Sequence, residues 1–390
     1  MRISDPLFSD PLAGVPARVT GVLTIDLQAI VRNWRLLADR VGPAVLTTAV
    51  VKADAYGLGV TTVAPALAAA GCRRFFVATI DEGIELRQAF DRLGSTAEVA
   101  VLGGVIPGTA ADIAAHGLLP VLNDLGQVSH WSEVNPGRPA ILQLDTGMSR
   151  LGLPAVEMAR LAADPDLLAR VPLIAVMSHL ACADDPTHPL NRRQAEELRE
   201  RARRLPPAPL SLAASSGIFL GPAFHHDMVR PGCALYGINP TPSSLNPMSQ
   251  VIGLKAKIVQ VQEIDAGRHV GYGATFSAGR TCRVATVGVG YADGFLRAAS
   301  GRGRAFVGDR EVPIIGRVSM DLITIDVTAL PPADARPGGW IELLSRHYTA
   351  DDLAQDAGTI GYEVLTRLGR RLHRVYAPAD LPIPSRPAST

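Results

Sequence analysis

Five polar side chains follow short apolar runs in the first two thirds of the chain, and together they point to one kind of chemistry. They are Lys52, Arg150, His179, Ser215 and Arg230. Taken alone, a lysine at the end of a valine run would be interpreted as an exposed charge. A lysine amine can, however, trap a carbonyl compound as a Schiff base, and arginines bind anionic groups through paired donors. The set indicates a site for an anionic small molecule with a reactive carbonyl group.

The apolar runs predict the strands that position these side chains. Eight of them are typical of buried strands: Val45–Val51, Phe75–Ala78, Val99–Leu102, Leu119–Leu122, Ile141–Leu144, Ile174–Ser178, Leu210–Ala213 and Met228–Arg230. Most precede stretches with helical spacing, such as Thr61–Ala70, Val156–Ala163 and Arg192–Arg204. Eight strand–helix units in one block favour an N-terminal (β/α)8 TIM-like barrel over an open sheet, and such barrels gather reactive residues at the carboxyl ends of their strands.

The loops after the seventh and eighth predicted strands are small and contain glycine. They read AASSG (Ala213–Gly217) and VRPGCALYG (Val229–Gly237). Phosphate sites in barrels commonly use free backbone N–H groups of these two loops. Ordinary tight turns between a strand and a helix have the same composition, so that interpretation stays open beside phosphate binding.

A proline-rich segment, Asn239–Pro247, interrupts the alternation of strands and helices. After it come β-type runs and one helical stretch: Ile252–Gln262, Arg283–Val289, Val312–Val318, Leu322–Val327, Trp340–Leu344 and the helical Ala350–Leu368. We therefore predict an α/β chain with a barrel domain over residues 20–248 and a C-terminal mainly-β domain over residues 249–385. Residues 21–27 would add an edge strand to the second domain.

Composition restricts the class of partner. Among 390 residues, 38 Lys and Arg against 37 Asp and Glu leave a net charge of +1, which favours a small-molecule substrate over nucleic acid or a membrane. The four cysteines are scattered, and residues 1–14 contain no secretory signal, so we expect a reduced, cytoplasmic protein. No metal site is predicted, because adjacent side chains in His225–Asp227 point in opposite directions. Cys182, near His179, is interpreted as a buried structural thiol.

Further motifs resemble those of a known family. VVKADAYGLG (Val50–Gly59) is similar to the cofactor-lysine motif of alanine racemases, the barrel class of pyridoxal-phosphate enzymes. Seven more motifs match that family in the same order: LDTGMSRLG (Leu144–Gly152), MSHLACAD (Met177–Asp184), VRPGCALYG, VGYGATF (Val270–Phe276), GVGYADG (Gly288–Gly294), GRVSMD (Gly316–Asp321) and IGYEV (Ile360–Val364). The resemblance extends over about residues 21–376 and thus over both predicted domains.

The resemblance implies pyridoxal 5'-phosphate as cofactor and a role for each matching residue. Lys52 would carry the cofactor and act as a base on one face of the amino-acid substrate, and Tyr272 would be the acid/base on the other. The resemblance also implies that the phosphate is bound by Tyr56, Ser215, Tyr362 and the backbone of Gly232 and Cys233. Arg230 would contact the pyridine nitrogen, and His179 would contact Tyr272. Arg150 and the backbone of Met320 would bind the substrate carboxylate, and Tyr291 would line the entrance. A homodimer is implied as well, with active sites shared between subunits.

The chemistry of racemisation is consistent with these roles. A proton leaves one face of Cα and another arrives on the opposite face, so two acid/base groups are required. Free tyrosine has a pKa near 10, and nearby cations would favour its phenolate. Arginine has no acceptor, so a pyridine nitrogen beside Arg230 stays unprotonated. The weaker electron sink keeps the carbanion short-lived and favours reprotonation at Cα over transamination.

Departures from the family pattern leave some points open. Leu58 replaces a frequent histidine, Ser149 a frequent glycine, and Gln143 a lysine that orients the arginine at the position of Arg150. Two other functions share the barrel and the lysine: an amino-acid decarboxylase and a non-catalytic pyridoxal-phosphate-binding protein. The first is disfavoured because Met320, rather than a cysteine, precedes Asp321, and the second because it would not need the β domain. A racemase of broader specificity stays open.

Overall fold

The computed structural model describes residue 12 and residues 14–164 and 166–377. The predicted absence of a secretory signal falls mostly outside these residues, as does the end of the predicted second domain at residues 378–385. The described chain forms two compact units. The barrel unit comprises Ile30–Leu235 and Asn239–Met248, and the β unit comprises the described residues up to Ala29, Tyr236–Ile238 and those from Ser249 onward.

Strand β1 (Gly21–Asp26) and helix α1 (Leu27–Val41) precede the barrel strands. The helix begins where it does because the Asp26 carboxylate accepts a hydrogen bond from the Ala29 backbone N–H at 2.8 Å. Such a cap pairs one of the amide groups that a helix leaves without an internal partner at its start.

Nine parallel strand segments form the barrel. They are β2 (Leu46–Thr47), β3 (Ala49–Val50), β4 (Arg74–Val77), β5 (Glu98–Val101), β6 (Leu119–Leu122), β7 (Ala140–Gln143), β8 (Leu173–Met177), β9 (Leu210–Ala214) and β10 (Met228–Arg230). Segments β2 and β3 are one strand position interrupted at Thr48; β2 pairs with β10 and β3 with β4, which closes the ring. The predicted eight-stranded barrel is thereby confirmed, with each strand within a few residues of its predicted bounds.

Helices follow most of these strands. They are α2 (Lys52–Gly57), α3 (Val60–Ala69), α4 (Ile80–Arg92), α5 (Ala110–Ala115), α6 (Leu125–Val134), α7 (Ala155–Ala163), α8 (Asp166–Ala169), α9 (Pro189–Ala202) and α10 (Ser215–Phe219). The strands are apolar on both faces because helices cover one face and the barrel interior the other. In β4, for example, Phe75, Phe76 and Val77 are all fully buried. In the described ranges, no helix has both the length and the apolar character needed to cross a membrane.

The β unit contains mostly antiparallel strands and two helices. The elements are β11 (Ile252–Ile264), β12 (His269–Val270), β13 (Phe276–Ser277), β14 (Cys282–Val287), β15 (Arg304–Val307), β16 (Arg310–Pro313), β17 (Ile323–Asp326), β18 (Trp340–Leu344), α11 (Ala350–Ala357), α12 (Gly361–Arg367) and β19 (His373–Ala377). The main path of its larger sheet is β16-β15-β18-β11-β1-β19, and β14 and β17 extend from β11. In the first half of β11 every second residue is buried, as expected for a strand with one face on a core. The mainly-β character predicted for this part of the chain is confirmed.

Three details of the β unit differ from the prediction. Strand β1 is an inner strand instead of an edge strand, because β19 pairs with its free side. The strand predicted over Val312–Val318 ends at Pro313, and Gly316 then adopts a φ of 67°, outside the β region. The helix predicted over Ala350–Leu368 is two helices, because Gly358 at a φ of 71° ends the first one.

Candidate active site

Lys52 follows strand β3 after one intervening residue, and the backbone after it is unusual. Residues 53–56 have φ values between 53° and 57°, which is a turn of left-handed helix made of non-glycine residues. This conformation costs about 1–2 kcal/mol per residue, so surrounding contacts have to stabilise it. Backbone strain of this kind concentrates at functional sites, and here it lies next to the one lysine expected to react.

Two carboxylates stabilise this left-handed turn. The Ala53 N–H donates to Glu82 Oε1 at 2.7 Å, and the Val60 N–H donates to Asp54 Oδ1 at 2.7 Å. The charges near Lys52 also act on its amine. Burial lowers the pKa of Lys52 and the guanidinium of Arg150 lowers it further, whereas the Glu82 carboxylate raises it. The net effect is a lowered pKa, which favours the neutral, nucleophilic amine.

Donor groups suited to a phosphate surround the end of strands β9 and β10. The buried Ser215 hydroxyl accepts from the Gly232 N–H at 2.9 Å and from the Ala234 N–H at 3.3 Å. A Cβ atom at Gly232 would lie 2.5 Å from the Tyr56 hydroxyl oxygen, so only glycine lets the two approach. These hydroxyl and N–H groups, with buried Cys233 between them, are the donor types that phosphate oxygens accept from.

Arg230 is a buried cation that contacts the half-buried His179. Arg230 is 3% exposed, and its guanidinium donates to the Ser211 hydroxyl at 2.5 Å and to the Ser178 carbonyl at 2.7 Å. Burial lowers the pKa of Arg230 to about 10, so it stays protonated at neutral pH.

The protonation of His179 follows from its neighbours. Burial, and then the charges of Arg230, Arg150 and Lys52, lower the pKa of His179 to about 3, so its imidazole is neutral. His179 Nδ1 lies 3.3 Å from Arg230. Because arginine can only donate, Nδ1 accepts, and the ring proton resides on Nε2.

The loop that carries Arg150 is held by hydrogen bonds between two side chains and its backbone. Asp145 Oδ1 accepts from the N–H groups of residues 147, 148 and 149, each at 3.0 Å. Gln143 Nε2 donates to the Leu151 carbonyl at 3.1 Å. Ser149, which stands where the family frequently has glycine, has a φ of 56°. Gln143 thus acts on the backbone beside Arg150, which itself is exposed.

Sequence reasoning missed a buried glutamine that joins two of these loops. Gln194 of α9 is fully buried; its Oε1 accepts from the Ala181 N–H at 2.9 Å, and its Nε2 donates to the His179 carbonyl at 2.9 Å and to the Thr146 hydroxyl at 3.3 Å. It also missed Glu82. The pattern Thr79-x-x-Glu82 is a capping-box signal for the start of α4, but nothing in it indicates the contact with Ala53.

The histidine and cysteine candidates for a metal site or a nucleophile lie outside the proposed site. His225 is buried, and its Nε2 contacts the Ile218 carbonyl at 2.8 Å. Among the residues that the structure describes, no group of three or more His, Cys, Asp or Glu is arranged to bind a metal. Cys182 is free and half-buried, so the expectation of a buried thiol is wrong; its loop lies too near the surface.

The other predicted site residues lie in the β unit. Tyr272 is 71% exposed and begins a short 3-10 helix after Gly271, which has a φ of 76°. The Tyr291 N–H donates to the Ser319 carbonyl at 3.0 Å, which brings Tyr291 beside the segment of Met320. Tyr291, Met320 and Tyr362 are also exposed. The predicted site residues therefore divide into a set in the barrel unit and a set in the β unit.

Two family models match the chain over most of its length. The alanine racemase N-terminal domain matches residues 25–240, and the alanine racemase C-terminal domain matches residues 251–376. The chain belongs to the alanine racemase family. This membership confirms the resemblance predicted from eight motifs and the isomerase class that it implies.

Individual alanine racemases are similar to this chain along nearly their whole length. The alanine racemase of Rhodospirillum rubrum is 49% identical over 363 residues, which is 92% of this chain and 96% of the relative. A catabolic alanine racemase of Mesorhizobium japonicum is 46% identical over 95% of this chain and 98% of its own length. The crystal structure of the alanine racemase from Bartonella henselae, with covalently bound pyridoxal phosphate, has a TM-score of 0.87 at 39% identity, covering 92% of this chain and 99% of that one.

Proposed function

We propose that this chain interconverts L- and D-alanine with pyridoxal phosphate as cofactor, through a two-base mechanism in which Lys52 and Tyr272 act on opposite faces of Cα. The observation that carries the proposal is Lys52, with its lowered pKa, at the end of a barrel strand in a member of the alanine racemase family. This activity would supply D-alanine.

The residues of the barrel unit fit the cofactor. Lys52 supplies the amine, and Tyr56, Ser215 and the backbone around Gly232 and Cys233 supply donors for the phosphate. Arg230 would contact the pyridine nitrogen, and Tyr362 of the β unit would add a further phosphate contact. When bound, pyridoxal phosphate provides the electron sink that stabilises negative charge at Cα. Because protonated Arg230 can only donate hydrogen bonds, the pyridine nitrogen beside it would stay unprotonated. An unprotonated pyridine ring would withdraw electrons from Cα only moderately.

Lys52 and Tyr272 would each hold or release one proton at Cα. The lowered pKa of Lys52 favours the neutral amine, which is the form that can take a proton. His179 carries its proton on Nε2, so it can donate to the Tyr272 oxygen and favour the phenolate. Cationic Arg230 behind the imidazole would strengthen that donor.

Substrate binding is assigned to three more residues. Arg150 and the backbone N–H of Met320 would bind the substrate carboxylate, and Tyr291 would line the entrance. The turn around Asp145 and the contact from Gln143 to Leu151 support the backbone of the Arg150 loop. We propose that this backbone support replaces the lysine that orients the arginine in many relatives.

The β unit supports the proposal of a shared site. Its proposed site residues Tyr272, Met320 and Tyr362 are exposed, as are Leu322 and Ile360. Aromatic and methionine side chains are enriched in protein–protein interfaces relative to the rest of a protein surface. We therefore propose a homodimer in which each site combines the barrel of one subunit with Tyr272 and Met320 of the other. The domain limits at residues 20–248 and 249–385 and the cytoplasmic location stay predictions.

Decarboxylation is the alternative within the same barrel class. It is disfavoured because Met320 stands before Asp321 where a reactive cysteine would be needed, and because Asp321 is paired with Arg371 at 2.6 Å. Purified protein incubated with L-alanine in heavy water tests both functions. We expect loss of optical rotation together with deuterium uptake at Cα. Release of carbon dioxide without racemisation would contradict the proposal, and parallel assays with serine and larger amino acids measure specificity.

A further inference from the structure

We propose that Glu82 is a positioning residue for Lys52: its carboxylate stabilises the left-handed turn after the lysine and joins that turn to the start of helix α4. The inference rests on the proposed function insofar as Lys52 is the reacting amine. Glu82 touches neither cofactor nor substrate in this assignment; it acts through the backbone of Ala53.

The contacts of Glu82 extend to the ends of two neighbouring barrel strands. Its Oε1 accepts from the Ala53 N–H at 2.7 Å, just after β3. Its Oε2 accepts from the Ala78 N–H at 2.7 Å and from the Thr79 N–H at 3.3 Å, just after β4. Both oxygens of one carboxylate are therefore used, and each serves a different strand end.

The backbone beside Lys52 needs this support. Four consecutive non-glycine residues, 53–56, have positive φ, and each costs about 1–2 kcal/mol relative to ordinary backbone. Ala53 is the first residue of that turn, and its N–H is the first donor after Lys52. Without an acceptor for it, the turn would lose a charge-assisted hydrogen bond at the point where the chain leaves β3.

The chemistry of the side chain makes the role specific to a carboxylate. Glutamine keeps the length of Glu82 but replaces one acceptor oxygen by an NH2 donor, so it cannot accept at both strand ends. Aspartate keeps the charge and can still cap α4, but it is one methylene shorter and cannot reach both ends. The negative charge has a second effect, because Glu82 raises the pKa of Lys52 against the lowering by burial and by Arg150.

Hydrogen exchange of the cofactor-free chain tests the contact directly. We expect amide exchange in the peptide that contains Ala53 to become about tenfold faster or more in both Glu82→Gln and Glu82→Asp, because a hydrogen bond to a charged group is lost. The matched control is Asp352→Asn. Asp352 forms the equivalent capping box with Thr349 at the start of α11, so the control neutralises a capping-box carboxylate of the same kind without touching Ala53. Unchanged exchange at Ala53 in the Glu82 variants, or equal acceleration in the control, would overturn the proposal.

The reactivity of Lys52 provides a second readout that does not depend on catalysis. Acetylation of Lys52 by acetic anhydride, followed by mass spectrometry across a pH series, gives the midpoint at which the amine becomes reactive. Glu82→Gln should shift this midpoint to lower pH, Glu82→Asp should shift it less, and Asp352→Asn should leave it in place. A midpoint in Glu82→Gln equal to wild type or higher would refute the role. If the wild-type holoenzyme failed to racemise alanine, the proposed function would fall, but these two measurements would still decide whether Glu82 positions Lys52.

Discussion

The proposed catalytic groups of the barrel unit and those of the β unit differ in how they are held. Arg230, His179 and Ser215 are fixed by hydrogen bonds to neighbours within the barrel unit, and burial together with the charge of Arg230 keeps His179 neutral. Tyr272 and Met320 are mostly exposed. A polar group that is already paired is preorganised for binding, whereas an exposed tyrosine becomes a selective acid/base only after a partner surface covers it. In the proposed dimer, the barrel unit would contribute a preformed half-site, and the β unit a half-site that the partner subunit completes.

The largest expected effect comes from separating the two half-sites on different chains. Lys52→Ala and Tyr272→Phe should each abolish most racemisation, because each removes one of the two bases. When the two variants are co-refolded in equal amounts, about half of the dimers are mixed, and one of the two sites in a mixed dimer pairs an intact lysine with an intact tyrosine. Activity should recover to roughly a quarter of wild type by this symmetry count.

The control for this experiment is each variant refolded alone, with mixed dimers verified by mass. If Lys52 and Tyr272 of one site belonged to the same chain, every site would keep one defect and activity would not recover. Such a result would place both half-sites in one subunit and remove the distinction between the two units.

A second prediction concerns the charge at the centre of the preformed half-site. Arg230→Glu should protonate the pyridine nitrogen and strengthen the electron sink, so that racemisation slows by about 100-fold and pyruvate from transamination appears. The exposed Arg370→Glu is a control for the loss of a positive charge. Steady-state rates and pyruvate assays measure both effects. Unchanged racemisation without pyruvate would show that Arg230 does not contact the ring.

A third prediction tests whether the barrel half-site depends on its supporting residues. Gln194→Leu removes the contacts to His179, Ala181 and Thr146 and leaves buried backbone groups unpaired, which should cost about 1–3 kcal/mol of folding free energy. The KM for alanine should rise with the misplacement of the loops. Gln355→Leu, on the exposed side of α11, should change neither quantity. Chemical denaturation and steady-state kinetics provide the measurements, and equal effects of the two variants would contradict a specific role for Gln194.

The same contrast explains which parts of the site the sequence could predict. Apolar runs in the sequence mark the barrel strands and therefore also where each strand ends. The positions of Lys52, His179 and Arg230 at the strand ends of one barrel followed from these runs. The roles of Tyr272 and Met320 came only from motif resemblance, because loops of the β unit carry no periodicity. Glu82 and Gln194 could not be found, since their contacts join segments 29 and 48 residues apart whose pairing depends on the closed barrel. Strand β19 was missed because all five of its residues are only half-buried and show no alternation.

The smallest expected effect is a pH dependence of stability that belongs to His179. Its pKa of about 3 in the folded chain lies below that of a free imidazole, near 6.5. The unfolded chain therefore binds a proton at His179 between about pH 6.5 and pH 3 that the folded chain does not, so the stability of the folded state falls as the pH falls through this window. The slope of stability against pH should not exceed about 1.4 kcal/mol per pH unit, and partial exposure of the ring reduces it.

His179→Gln should remove this pH dependence, so that the free energy of unfolding of the variant relative to wild type improves from pH 7 to pH 5. The exposed His269→Gln controls for the loss of an imidazole. A difference between wild type and His179→Gln that stayed constant over this range would mean that the imidazole is not kept neutral by the barrel, and the assignment of its proton to Nε2 would lose its basis.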